Sequence, residues 1–176
     1  MQMRSRAALA VFVAICLSLA LAIPSRAQTQ PSVPNATQKG APMPSHATGT
    51  FDVKLTPQGD GDTAEGSTLG RMSIEKQIHG DLEATSKGEM LTAGTDVKNS
   101  AGYVAFERIT GTLHGLSGSF VLQHSGTLTR GAPQQSITVV PDSATGQLAG
   151  LTGKMTITIA EGKHSYDFEY TLPVAP

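Results

Sequence analysis

From Phe51 to Leu172 apolar and polar residues alternate with a period of two, and this feature removes most architectures from consideration. Phe51, Val53 and Leu55 alternate with Asp52, Lys54 and Thr56. Leu82, Ala84, Ser86 and Met90 alternate with Asp81, Glu83, Thr85, Lys87 and Glu89. Ile137 and Val139 form a shorter run. Met155, Ile157 and Ile159 alternate with Thr156, Thr158 and Ala160, and Tyr166, Phe168, Tyr170 and Leu172 with Ser165, Asp167, Glu169 and Thr171. Successive side chains of a strand point to opposite faces, so these runs read as half-buried antiparallel strands. No stretch sustains a helical period.

Gly80-Asp81, Gly115 to Gly118, Gly131-Ala132-Pro133 and Glu161-Gly162 supply tight reversals between the runs. The longer segments Pro57 to Thr68 and Pro141 to Gly153 read as loops. Strands are predicted at residues 49–56, 69–79, 81–92, 102–113, 118–128, 135–140, 153–160 and 164–172. Consecutive antiparallel strands with one apolar face each close most economically into a barrel, which abolishes exposed edges. The predicted fold is therefore all-β, an eight-stranded antiparallel closed β-barrel. A β-sandwich with Greek-key links is the alternative. An eight-stranded barrel has room inside for side chains or for one small ligand.

The first 27 residues read as a secretory signal peptide. Arg4 and Arg6 precede an apolar run from Ala7 to Ile23, and Ser25-Arg26-Ala27 places small residues at the cleavage positions. Ile15 before Cys16 argues against a lipoprotein signal. Residues 28–46, with Pro31, Pro34, Pro42 and Pro44, read as a flexible Pro-rich tether, and residues 47–176 as the barrel domain. Asn35-Ala36-Thr37 in the tether is a formal glycosylation acceptor. The expected location is secreted or periplasmic, with no stable membrane insertion after cleavage. Cys16 is the single cysteine, so the exported domain must be held by its core rather than by disulfides. The 13 Lys and Arg become ten once Arg4, Arg6 and Arg26 leave, against 14 acidic residues, a net charge near −4. Without a basic cluster, binding to nucleic acid or an anionic membrane is not expected.

Three polar residues interrupt apolar columns: Lys76 among Met72, Ile74 and Ile78, Glu107 after Tyr103 and Ala105, and His124 after Phe120 and Leu122. A polar side chain aimed at a core is costly unless it is paired or lines a wet cavity. Their strand around Glu107 is apolar on both faces, because Val104 and Phe106 alternate with Tyr103, Ala105 and Ile109. Glu107 is placed inward; the opposite phase would bring Arg108 inside. The outer apolar face suggests a homodimer contact. Three readings of Lys76, Glu107 and His124 follow. They form an internal ion pair with a hydrogen-bonded histidine, or they hold a ligand. Alternatively, Glu107 and His124 act as acid and base on a small carbonyl or epoxide, with Lys76 as a second catalytic candidate. Tyr103, Tyr166 and Tyr170 add phenols able to grip a ligand, although inward aromatics commonly serve as packing.

Other chemistries find little support. His46, His79, His114, His124 and His164 lack metal-ligand spacing, and no metal or cofactor is expected. Asp60, Asp62 and Glu65 lack the full pattern of a calcium loop. No Gly-x-Ser-x-Gly elbow exists, and Gly146, Gly150 and Gly153 precede no helix that could cradle phosphate.

Several strings carry a resemblance: Lys76-Gln77-Ile78-His79-Gly80-Asp81-Leu82-Glu83, Ala101-Gly102-Tyr103-Val104-Ala105-Phe106-Glu107-Arg108, Gly118-Ser119-Phe120-Val121-Leu122-Gln123-His124, Ser143 to Leu151, and His164 to Tyr170. Over about Thr48 to Leu172 the chain resembles a bacterial family known only as a domain of unknown function. That resemblance implies a calycin-like barrel similar to that of the plant allene oxide cyclases, with room for a ligand cavity and no assigned reaction. Ala84 and Ala144 stand where the family pattern has glycine, which bears on loop geometry. The functional expectation is a small, partly apolar molecule bound inside the barrel. An isomerase or cyclase using Glu107 and His124 is the first alternative, and a solidly packed structural or protein-binding module the second.

Overall fold

The computed structural model describes residues 44–173. The expected signal peptide and nearly all of the tether lie outside the described residues. The strands are β1 (Ser45–Pro57), β2 (Asp62–Ala64), β3 (Ser67–Gly80), β4 (Leu82–Thr95), β5 (Ala101–Leu113), β6 (Leu116–Thr129), β7 (Ala132–Val139), β8 (Thr152–Ala160) and β9 (Lys163–Thr171). Each of β3 to β9 pairs antiparallel with its neighbours in sequence. The ring closes through β1, whose first half pairs with β9 and whose second half pairs with β3. The result is the expected eight-stranded antiparallel barrel, with β2 a short flap on β3. One continuous sheet excludes the sandwich.

Closure brings β3 and β9 to opposite edges of β1 over Gly49 to Phe51, and Gly49 is the tightest point of that stretch. It pairs with Gly80 of β3 and with Tyr166 of β9. A Cβ there would run into the His79 carbonyl and the Tyr166 ring, so only glycine fits. Register elsewhere is fixed by two-residue turns. His114-Gly115 and Glu161-Gly162 both adopt positive φ, the geometry that matches the right-handed twist of a hairpin.

Up-and-down order sorts the connections to two ends. The β3–β4 and β5–β6 turns and the long β7–β8 connection share one end; the β4–β5, β6–β7 and β8–β9 turns share the other. The first end is packed. Leu82, Leu113, Phe120 and Phe168 are buried there, with the Phe120 and Phe168 rings stacked 5.6 Å apart. The β7–β8 connection folds over this end as a plug, contributing buried Leu148 and Leu151. It is tied to β6 by Thr145 N–H donating to the Ser119 carbonyl at 2.8 Å and Val121 N–H donating to Ser143 Oγ at 3.0 Å.

Two segments depart from the expected loops. Pro57 to Thr68 contains β2, which the polar composition of Asp62-Thr63-Ala64 conceals. Pro141 to Gly153 holds a single 3-10 turn at Gly146–Leu148 and belongs to the core through its two leucines. In addition, β1 begins at Ser45, two residues into the segment read as tether.

Candidate functional site

The inward column of β4 reads Leu82, Ala84, Ser86, Gly88 and Met90, and its small members make room for the side chains of its neighbours. Gly88 lies opposite Glu107 of β5, and Ser86 opposite Lys76 of β3. A Cβ on Gly88 would meet the Glu107 backbone and Cβ, so β5 approaches β4 closely there. Lys76 therefore reaches across β4, and its Nζ donates to Glu107 Oε2 at 2.7 Å. The same ammonium stands 4.7 Å from the centre of the Phe51 ring, a cation–π contact. From β6, His124 Nε2 lies 3.4 Å from the same Oε2. Glu107 is 1% exposed, His124 4% and Lys76 8%. The three interruptions in the sequence pattern thus meet in one buried cluster, with Glu107 inward and Arg108 outside.

Burial pushes the His124 imidazole down to about 4, a loss of basicity that the nearby Glu107 carboxylate opposes and Lys76 reinforces. At neutral pH the imidazole is uncharged, beside a lysine–glutamate ion pair. Hydrogen bonding is incomplete. Ser86 Oγ, Glu107 Oε1 and His124 Nε2 have no partner among the described residues. Most buried polar atoms are paired, so three such atoms in one region mark a site with spare hydrogen-bonding capacity.

Above the cluster, toward the second end, the barrel opens into a cavity of about 710 Å³. Met90, Tyr103, Leu128, Met155 and Ile157 form much of its wall. The pairing ladder runs Met90, Ala105, His124, Ile137 across four strands, so His124 shares a level with a residue of the cavity wall. Tyr103 lies two inward positions nearer the opening than Glu107, about 13 Å along the strand. Its ring lies over Gly126, where a Cβ would collide with it, and its hydroxyl accepts from Gln135 Nε2 at 2.8 Å. One tyrosine thereby spans β5, β6 and β7 at the opening.

Tyr166 and Tyr170 are not brought to this cavity. The Tyr166 hydroxyl accepts from Leu82 N–H at 3.0 Å at the packed end, and Tyr170 stacks on Phe168 with ring centres 5.4 Å apart. Burial raises the pKa of both phenols. Their alternation marks an inward face correctly but says nothing about height along the barrel axis. Sequence reasoning placed Ser86 in an inward column without singling it out, and it missed Met90, Met155 and Gln135 as cavity residues. A serine and a glycine in an otherwise apolar inward column were the available signal. Val104 and Phe106 face outward, Phe106 at 58% exposure. Among the described residues no three His, Cys, Asp or Glu side chains gather as a metal would require.

Residues 47–170 match the model of a family described as protein of unknown function (DUF3224). A crystal structure of a DUF3224-family protein of unknown function from Shewanella oneidensis MR-1 is similar at 48% identity with a TM-score of 0.70. The alignment covers 74% of this chain and 99% of that one. No curated protein matches.

Proposed function

This chain belongs to the DUF3224 family, and from that premise we propose that it is an exported β-barrel protein that binds one small, partly apolar molecule in the open half of the barrel. The observation that carries the reading is the cavity of about 710 Å³ with apolar walls over a buried cluster with unpaired polar atoms. Ligand pockets are commonly concave, mostly apolar, and supplied with a few placed polar groups. A solidly packed module would leave no such volume. Acid–base turnover is less well supported. Glu107 and His124 sit beneath the wall, and Glu107 Oε2 is already held by Lys76. Export rests on the sequence of residues 1–27.

The test is titration with N-phenyl-1-naphthylamine, an uncharged apolar fluorophore. One molecule is expected to bind per chain with a blue-shifted emission. Thr92→Trp, which fills the cavity from β4, should weaken binding at least tenfold while leaving the far-UV circular dichroism unchanged. A wild-type protein that binds none, or a Thr92→Trp variant that binds as well, contradicts the reading.

A further inference from the structure

Two neighbouring strands of this barrel scarcely pair. β6 and β7 share a ladder from Leu122–Val139 to Thr129–Ala132, and β8 and β9 one from Thr152–Thr171 to Ala160–Lys163. Between β7 and β8 the ladder is the single pair Thr138–Lys154. From that rung toward the open end, Ala132 to Ile137 and Met155 to Ala160 run side by side without forming further rungs.

The cavity borders this break. Behind an intact barrel wall only every second residue of a strand can touch the interior. Near the rim this limit lapses on every lining strand: Ala93 and Gly94 of β4, Ala101 and Gly102 of β5, and Gly126 and Thr127 of β6 border the cavity, as do Gln134 and Gln135 of β7 and Thr156 and Ile157 of β8. On β4, β5 and β6 continuous ladders hold that rim, whereas β7 and β8 border the cavity across an unpaired stretch that can widen without breaking ladder hydrogen bonds. Ile159, 66% exposed, stands at the edge of this gap and also borders the cavity.

Resting on the binding reading, we propose that the β7–β8 gap is the route by which the ligand enters and leaves, and that the ligand is an uncharged apolar molecule carrying a hydroxyl or carbonyl group. The chemistry of the wall sets the class. Among the described residues that line the cavity, none carries a formal charge. An ionised ligand would lose its hydration with nothing to replace it. A hydroxyl or carbonyl does find partners. The Tyr103 hydroxyl accepts from Gln135 and retains its own proton to donate, and the Gln134 and Gln135 side-chain carbonyls can accept. These polar groups sit on the β7 side of the gap, and the apolar residues sit deeper.

The test fastens the gap in the full chain carrying Cys16→Ser, which removes the native thiol. Continuing the Thr138–Lys154 register, Ser136→Cys and Thr156→Cys place two thiols on the outer wall at the second missing rung, the first that faces outward. Oxidation joins them, or dibromobimane does so where the sulfurs stand too far apart for a disulfide. Stopped-flow mixing with N-phenyl-1-naphthylamine is expected to show association and dissociation at least tenfold slower in the joined form. The equilibrium affinity should move less than threefold, and reduction of the disulfide should restore both rates. Val104→Cys with Ser125→Cys joins the intact β5–β6 seam and should leave the rates unchanged. Unchanged rates in the joined β7–β8 variant, with binding intact, overturn the route alone. Equal slowing by the β5–β6 staple also overturns it, because stiffening and not closure would be the cause. Absence of binding in the unstapled protein overturns the binding reading as well. Tight binding of 8-anilinonaphthalene-1-sulfonate, the anionic analogue, in place of the neutral probe overturns the assigned ligand class.

Discussion

The two halves of the barrel are built from the same alternating strands, yet one is solid and the other hollow. At the packed end the inward positions are Leu82, Leu113, Phe120 and Phe168, and the β7–β8 connection adds Leu148 and Leu151 from outside the ring. At the open end the corresponding strands offer Thr92 and Gly126, and among the described residues none of the β4–β5, β6–β7 and β8–β9 turns lines the cavity. Alternation decides which face is inside. Side-chain volume, and the presence of a plug, decide whether that inside is filled. The Lys76–Glu107–His124 cluster lies at the boundary, low enough to be buried and high enough to adjoin the cavity.

The contrast is sharpest in stability. Phe168→Ala removes a fully buried ring from the packed half and should cost about 3–5 kcal/mol in urea unfolding. Ile157→Ala, in the cavity wall, should cost about 1 kcal/mol or less, since that side chain already borders open volume. Equal costs would erase the distinction between the halves.

At the boundary, Lys76→Met leaves Glu107 buried without its cation and should destabilise by about 3–5 kcal/mol. Lys76→Met combined with Glu107→Gln should recover most of that loss. A double variant as unstable as the single one would mean that the ion pair is not what these residues contribute.

The same cluster sets an acid response. His124 has a folded pKa of about 4 against an ordinary 6.5, so the unfolded chain takes up the proton first. Stability is full above about pH 6.5 and falls as pH drops toward 4, where the contribution is lost. Between pH 7 and 4.5 the wild type should lose about 2–3 kcal/mol more than His124→Gln, as read by urea unfolding at each pH. Parallel pH profiles would show that the imidazole is not held neutral.

The smallest effect belongs to the opening itself. Gly126→Ala pushes a methyl group into the Tyr103 ring and should cost about 1–2 kcal/mol. In Gly126→Ala with Tyr103→Ala the penalty of the methyl should vanish. Persistence of the penalty in that background would place the strain in the β6 backbone.

Much of this arrangement was legible in the residues. Period two gave the strands and their faces, and it exposed Lys76, Glu107 and His124 because each breaks an apolar column. What it could not give was height. Tyr103 and Tyr166 look alike in sequence, both inward aromatics on alternating strands. One stands at the opening and the other hydrogen-bonds Leu82 at the packed end. Height depends on register and on where the ring closes, and closure rests on β1 pairing with two partners over Gly49 to Phe51. The β7–β8 gap was equally hidden, because a strand that lacks a partner alternates like one that has it. Leu148 and Leu151 read as loop residues because the plug has no period.

The central claim is that the open half is a ligand cavity and the packed half is not. Methyl-resolved carbon–proton NMR during titration with N-phenyl-1-naphthylamine tests it most directly. Methyl signals of Met90, Met155 and Ile157 should shift together to saturation at one equivalent, while those of Leu82, Leu113 and Ile109 stay in place. Shifts confined to Val104 and Leu91 on the outer wall, or no shifts at all, would contradict it.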